Sequence, residues 1–208
     1  MGVTTVITSQ EETWAGSFGD AYTERQRLPL AARKAMFSRI LASTRYPITS
    51  VIEFGAGTGE NLRALRALLV GVKLYGVELN AQAFGELKSA ADVAIKGSIL
   101  DVPLTETWDI TLTRGLLIHI QPVELLRVYD VLYKHTRHYV CICEYYNPTP
   151  VMIPYRGEND RLWKRDFAGE LLNRYPNLRL VDYGFVYHRD PIIPQDDITF
   201  FLMEKQHG

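Results

Sequence analysis

The sequence predicts a single doubly wound α/β domain, and three observations support that expectation. The first is the stretch V-I-E-F-G-A-G-T-G-E-N-L-R-A-L from Val51 to Leu65, where an apolar run meets a glycine-rich turn and then leucines at helical spacing. The second is the alternation of short apolar runs with amphipathic segments along the rest of the chain, the pattern of strands and covering helices in an open sheet. The third is length: 208 residues suit one domain with a sizeable core and no need of metal or disulfide staples.

Residues 1 to 13 are polar and weakly patterned and are expected to fray. Trp14, Phe18 and Tyr22 then recur on one helical face, so W-A-G-S-F-G-D-A-Y-T-E-R-Q-R reads as one helix or two short ones lying over the site. Leu30 to Leu41, entered after Pro29, reads as an amphipathic helix packed on the sheet. Residues 1–45 thus form an N-terminal helical cap and 46–208 an α/β core within one domain. Past the glycine turn, a helix is expected over Asn61 to Leu69, a strand over Val72 to Asn80, a helix over Ala81 to Ala91 and a short strand over Val93 to Lys96. Trp108 to Gly115 and His138 to Tyr146 read as strands flanking a helix from Pro122 to Lys134. Pro148, Pro150 and Pro154 stiffen the stretch 147–160 into a lid-like loop. A helix over Arg161 to Tyr175 would bury Trp163, Phe167 and Leu171 and set Arg161, Lys164 and Arg165 on another face. Leu178 to Tyr187 and Ile198 to Lys205 read as two closing strands.

A net charge of −1 gives no basic field for nucleic acid or an anionic membrane, which favours small-molecule substrates. No apolar run is long enough to span a bilayer and the N-terminus lacks a signal pattern, so a cytoplasmic location is expected. Cys141 and Cys143 lie two apart on one face of a strand, too close to bridge easily, and read as buried free thiols. No metal is expected, and nothing in the sequence indicates an oligomeric state.

The alternate glycines Gly55, Gly57 and Gly59 allow conformations closed to other residues and let a ligand approach the backbone. A dinucleotide turn reads G-x-G-x-x-G, whereas this one reads E-x-G-x-G-x-G, with Glu78 ending the next strand where a carboxylate can accept both hydroxyls of a ribose. In these residues the chain resembles the class I S-adenosylmethionine-dependent methyltransferases. The resemblance implies a Rossmann-like sheet of seven strands whose last is antiparallel, and S-adenosylmethionine as cofactor, with S-adenosylhomocysteine as product. It also implies cofactor contacts from Glu53, Gly55, Ala56, Gly57, Gly59, Asn61, Glu78, Leu79, Ser98, Ile99 and Arg114. An N-terminal tyrosine and arginine would reach the methionine carboxylate; Tyr22, Arg25 and Arg27 are the candidates. The adenine position departs from the family, since Ser98 stands where an aspartate is common.

In an open sheet the carboxyl ends of the first three strands hold the cofactor and those of the next three face the acceptor. That rule selects Arg114 and His119, then Glu144, Tyr145, Tyr146 and Asn147, then Tyr187, His188, Arg189 and Asp190. His119 is the candidate general base, with Glu144 and Tyr145 as alternatives that steer the acceptor. Arg156, Arg161, Lys164 and Arg165 suit a carboxylate or phosphate, and Asp190, Asp196 and Asp197 suit an amine. E-Y-Y-N-P-T-P, I-P-Y-R-G-E-N-D-R-L-W-K-R-D-F-A-G-E, R-L-V-D-Y-G-F-V-Y-H-R-D-P and P-Q-D-D-I-T resemble the methylase family associated with pseudaminic acid biosynthesis. That resemblance implies methylation of an oxygen or nitrogen on a nonulosonic acid, amino sugar or amino-acid-like metabolite. A non-catalytic cofactor-binding sensor or partner subunit is the alternative, and an RNA methyltransferase is disfavoured by the charge.

Overall fold

The computed structural model describes residues 8–25, 29–155 and 158–206. Its strands are β1 (Ser50–Phe54), β2 (Lys73–Glu78), β3 (Val93–Lys96), β4 (Trp108–Arg114), β5 (Thr136–Glu144), β6 (Val151–Tyr155), β7 (Glu158–Lys164), β8 (Leu178–Val186) and β9 (Ile198–Lys205). Seven form one sheet in the order β3-β2-β1-β4-β5-β9-β8, and β6 pairs with β7 as a separate ribbon. The strands from β3 to β5 run parallel, while β9 is antiparallel to both β5 and β8. The expected doubly wound sheet with an antiparallel last strand is therefore present.

The helices are α1 (Ser9–Ala15), α2 (Ser17–Arg25), α3 (Leu30–Ala42), α4 (Glu60–Leu68), α5 (Ala81–Leu87), α6 (Leu125–His135) and α7 (Phe167–Arg174). Alternation along the strands divides the core. Val51, Leu74, Ile110 and Leu202 pack towards Met36, Phe37 and Ile40 of α3 and Leu62 and Leu65 of α4. Ile52, Phe54, Val140 and Ile142 pack on the other side, against Val128 and Leu132 of α6 and Leu171 of α7. Each such side chain contributes about 1.5–3 kcal/mol on burial, so both faces of the sheet hold their helices firmly. The near-continuous burial of β4 is that of a central parallel strand covered on both sides. Cys141 and Cys143 are buried free thiols, as their spacing indicated.

Three sequence expectations are corrected. Order begins earlier than residue 14: Thr8 and Glu11 form a reciprocal capping box that starts α1 at Ser9. The stretch expected as the loop 147–160 becomes strand at Val151, and Arg161 to Lys164, expected as helix, completes β7 opposite it. The Trp163, Phe167, Leu171 spacing imitated a helix, but the pairing of Ile153 with Leu162 buries Leu162 in the core. Helix α7 starts only after Asp166, whose carboxylate accepts the Gly169 N–H at 2.8 Å. Finally, α6 begins at Leu125, not at Pro122, because residues 122–124 form a turn.

Candidate functional site

The connection after β1 runs to β2 on one side and β4 lies on the other, so a crevice opens at the carboxyl ends of β1 and β4. A cavity of about 160 Å³ lies there, walled by Gly55, Gly57, Glu78, Leu79, Ser98, Ile99 and Arg114, with Trp14 and Tyr22 from the N-terminal helices. A second cavity of about 90 Å³ shares Tyr22, Gly55, Gly57 and Arg114 and extends to Arg33, Ala56 and Asn61. Both are far larger than a single water requires.

The glycine turn and Glu78 are bonded to each other. The Gly57 N–H donates to Glu78 Oε2 at 2.7 Å and the Asn80 N–H donates to Oε1 at 2.7 Å. Burial pushes the Glu78 carboxyl above its usual range, while these N–H bonds act in the opposite direction. Each oxygen keeps a further acceptor position, the arrangement that suits two adjacent hydroxyls. Gly57, at φ 54°, has no atom within 4 Å of where a Cβ would stand. Gly59 differs: at φ 83° it precedes α4, and a Cβ there would fall 2.4 Å from that of Ala90. It lines neither cavity, so its place in the turn is a matter of packing.

A second set lies on the α3–α4 side. Glu53 is fully buried, its Oε1 accepts from Asn61 Nδ2, and Asn61 Oδ1 accepts from Arg33 Nη1. Burial raises the Glu53 carboxyl to about 8 and lowers the Arg33 guanidinium to about 10. Glu53 Oε2 and Arg33 Nε are buried with no hydrogen-bond partner among the described residues. Arg33 and Asn61 line the second cavity, while Glu53 lines neither cavity and stands behind Asn61; the unpartnered Arg33 Nε fits a carboxylate such as that at the methionine end of S-adenosylmethionine. Arg33 was missed in the sequence; an arginine beside Ala32, Met36 and Phe37 on a buried helical face was the available signal.

Helices α1 and α2 close the crevice and meet the β6–β7 ribbon. Trp14 packs on Phe18 and Tyr22 at 5.2 Å each and on His119 at 4.4 Å, and His119 packs on Tyr155 at 5.4 Å. Gln10 Nε2 donates to the Arg161 carbonyl at 3.1 Å, and Arg161 Nη1 donates to Gln10 Oε1 at 2.9 Å. Asn80 Nδ2 donates to the Trp14 carbonyl at 3.2 Å and to Asp20 Oδ1 at 2.8 Å, which ties the α1–α2 junction to the end of β2.

His119, the candidate base, and Glu144, the candidate for steering the acceptor, both have structural partners that argue against those roles. His119 Nδ1 lies 2.7 Å from the Arg161 carbonyl, so that nitrogen carries the proton, and burial lowers the imidazole to about 4. Such a ring lines the cavity as a neutral packing group and is a poor proton acceptor. Burial raises the Glu144 carboxyl to about 7, and it accepts the backbone N–H groups of Leu116, Leu117 and Ile118 at 3.1, 3.1 and 3.4 Å. It thereby fixes the 3-10 turn Leu117–His119. Tyr145 is half-buried, with a phenol pushed up by burial and then by Asp196.

The other candidates divide clearly. Ser98 lines the cavity while its Oγ accepts the Leu100 N–H at 3.2 Å, and Ile99 is buried beside it. Away from both cavities, Asn147 Nδ2 bonds to the Thr149 carbonyl, Arg165 pairs with Glu170 at 2.7 Å, and His188 pairs with Asp197 at 2.8 Å. Tyr146, Tyr187 and Arg189 are exposed. Arg27 and Arg156, and the side chain of Arg25, lie outside the described residues. No helix among the described residues is long and apolar enough to cross a membrane.

No family model matches the sequence, and no curated protein matches it. Solved structures do match in fold. Magnesium protoporphyrin IX methyltransferase from Synechocystis PCC 6803, bound to S-adenosylhomocysteine, aligns at TM-score 0.70 with 11% identity over 94% of this chain and 98% of its own. The sugar N-methyltransferase KedS8 from a Streptoalloteichus species aligns at TM-score 0.66 with 14% identity over 100% and 98%. CalS10 from Micromonospora echinaspora, an amino pentose methyltransferase with bound S-adenosylmethionine, aligns at TM-score 0.63 with 12% identity over 92% and 97%. The chain has the Rossmann-like fold of these enzymes.

Proposed function

We propose that this chain is an S-adenosylmethionine-dependent methyltransferase acting on an oxygen or nitrogen of a small polar metabolite. The observation that carries the reading is the Glu78 carboxylate, bonded to the Gly57 N–H on the wall of the crevice and still able to accept a pair of ribose hydroxyls. Gly55 and Gly57 let the nucleoside lie against the backbone, Leu79, Ser98 and Ile99 would flank the adenine, and Asn61, Arg33 and Tyr22 would hold the methionine end, with Glu53 positioning Asn61. The likeness to KedS8 and CalS10 supports a sugar or amino sugar as acceptor. The narrower reading, a nonulosonic acid or related sugar, rests on the motif resemblance to the pseudaminic acid-associated family. A metabolite donor and the two buried free thiols support a cytoplasmic location.

The cofactor supplies a sulfonium methyl that is already strongly electrophilic. The chain's part is to align the acceptor with it and to exclude water. Alignment of this kind can contribute about 7–11 kcal/mol. The contacts of Trp14, His119 and Tyr155 close the crevice from above. With His119 neutral and Glu144 committed to backbone, the reading assigns the acceleration to positioning, not to a strong general base.

The test is incubation with methyl-labelled cofactor and a fractionated metabolite extract. Label recovered in a small-molecule fraction is expected. Cofactor binding without transfer would favour a sensor or partner subunit, and transfer to RNA would favour a nucleic-acid substrate.

A further inference from the structure

We infer that the adenine of the cofactor is read by the helical cap and not by the end of β3: the Glu11 carboxylate accepts from the exocyclic amino group, and the Trp14 indole N–H donates to the adjacent ring nitrogen, N1. This deepens the proposed function and rests on it. The end of β3 has little to offer the amine. Ser98 stands where an aspartate is common in the resembled family, and its Oγ already accepts the Leu100 N–H at 3.2 Å. The next carboxylate along that loop, Asp101, is exposed and lines neither cavity.

Helix α1 lies along the larger cavity. At its start Gln121 Nε2 donates to Ser9 Oγ at 3.2 Å, and near its end Asn80 Nδ2 donates to the Trp14 carbonyl at 3.2 Å. The helix therefore bridges from the turn after β4 to the residue beside Leu79. Among the described residues, the carboxylates lining that cavity are those of Glu11, Glu78 and Glu124. Glu78 accepts backbone N–H groups at both oxygens and is given to the ribose, and Glu124 pairs with Arg127 at 2.6 Å. Glu11 is left. The capping box holds it in place, because Oε2 accepts the Thr8 N–H at 2.7 Å, while Oε1 is buried with no hydrogen-bond partner among the described residues. Trp14 Nε1, on the same cavity wall, is a buried donor in the same condition. Spaced as i and i+3, the two residues share one face of α1.

An unfinished acceptor beside an unfinished donor complements the edge of adenine that carries amino hydrogens next to a ring lone pair. Hypoxanthine reverses both groups, with a carbonyl in place of the amine and a proton on N1. An ionised carboxylate has no hydrogen to give that carbonyl, and the indole cannot accept the N1 proton. The pair that binds one base leaves its own groups unmet by the other, so it selects as well as binds.

The experiment measures by calorimetry the affinities of the intact protein for S-adenosylhomocysteine and S-inosylhomocysteine. The adenine form should bind about thirtyfold more tightly. Glu11→Gln preserves the capping box, where glutamine also serves, but turns an amide NH2 group towards the base. It should cut the preference to less than about threefold, and Trp14→Phe should narrow it about fivefold. Glu12→Gln, on the exposed side of the same helix, should leave it intact. The ratio of two affinities in one variant is insensitive to a general loss of folded protein. Equal binding of the two ligands by the unaltered protein, a preference that survives Glu11→Gln or Trp14→Phe, or one abolished by Ser98→Ala overturns the inference. Failure of S-adenosylhomocysteine to bind at all overturns the methyltransferase reading, and this inference with it.

Discussion

The rim over β1 and β2 and the rim over β5 and β8 are built on different principles. On the first, Glu78 is bonded to the Gly57 and Asn80 backbone, and buried Glu53 ends a chain through Asn61 to Arg33. These charges are placed before a ligand arrives. On the second, Arg165 pairs with Glu170, His188 with Asp197, and Asn147 with its own loop, all outside the cavities. The outer wall of the crevice comes from elsewhere, through the packed rings of Trp14, Phe18 and Tyr22 of the N-terminal helices and Tyr155 of the ribbon. The difference teaches that density of titratable residues on a rim is weaker evidence for a site than burial of a few with their bonds unfinished.

The two glycines of the turn offer the largest effect. Gly59→Ala must take up a left-handed φ and push Ala90 aside, so it should lose about 3 kcal/mol of stability by chemical denaturation. Gly57→Ala meets no neighbour and should lose only about 1 kcal/mol, while its methyl group hinders the ligand. Equal loss of stability in both would break the division between packing and binding. Next, Glu78→Gln should weaken S-adenosylhomocysteine binding by about 2 kcal/mol, roughly thirtyfold, because its amide nitrogen cannot accept.

Two buried groups give opposite pH signatures. Glu53 is raised to about 8 by burial, so its contribution to stability is full below its ordinary carboxylate range and is lost as pH rises through about 8. The ligand-free protein should therefore resist urea less at pH 8.5 than at pH 5.5, and Glu53→Gln should flatten that slope. His119 is lowered to about 4 by burial, so its contribution is full above pH 6.5 and is lost as pH falls through about 4. His119→Gln should flatten the acid limb and change turnover only a few-fold; a hundredfold fall in turnover, rescued at high pH, would restore it as the base. At the small end, Arg165→Ala should cost no more than about 1 kcal/mol in stability and leave turnover nearly unchanged.

What was legible in the sequence follows the range of the interactions. The β1–turn–α4 unit and Glu78 are local features whose residue types state their own chemistry, and the central strands were readable from apolar runs alone. The β6–β7 ribbon was misread because Trp163, Phe167 and Leu171 share a helical spacing that tertiary pairing overrode. The apolar face of α3 marks Arg33 as a buried arginine, but its partners Asn61 and Glu53 lie on other elements and no local pattern names them. The Gln10–Arg161 contact joins residues 151 positions apart, and no local pattern reports such a closure.

The most direct measurement of the central claim is a calorimetric titration of the intact protein with S-adenosylhomocysteine, set beside one with NAD. A crevice built around the Glu78–Gly57 pair predicts saturable one-site binding of S-adenosylhomocysteine and no heat from NAD. Heat from NAD with none from S-adenosylhomocysteine would contradict it.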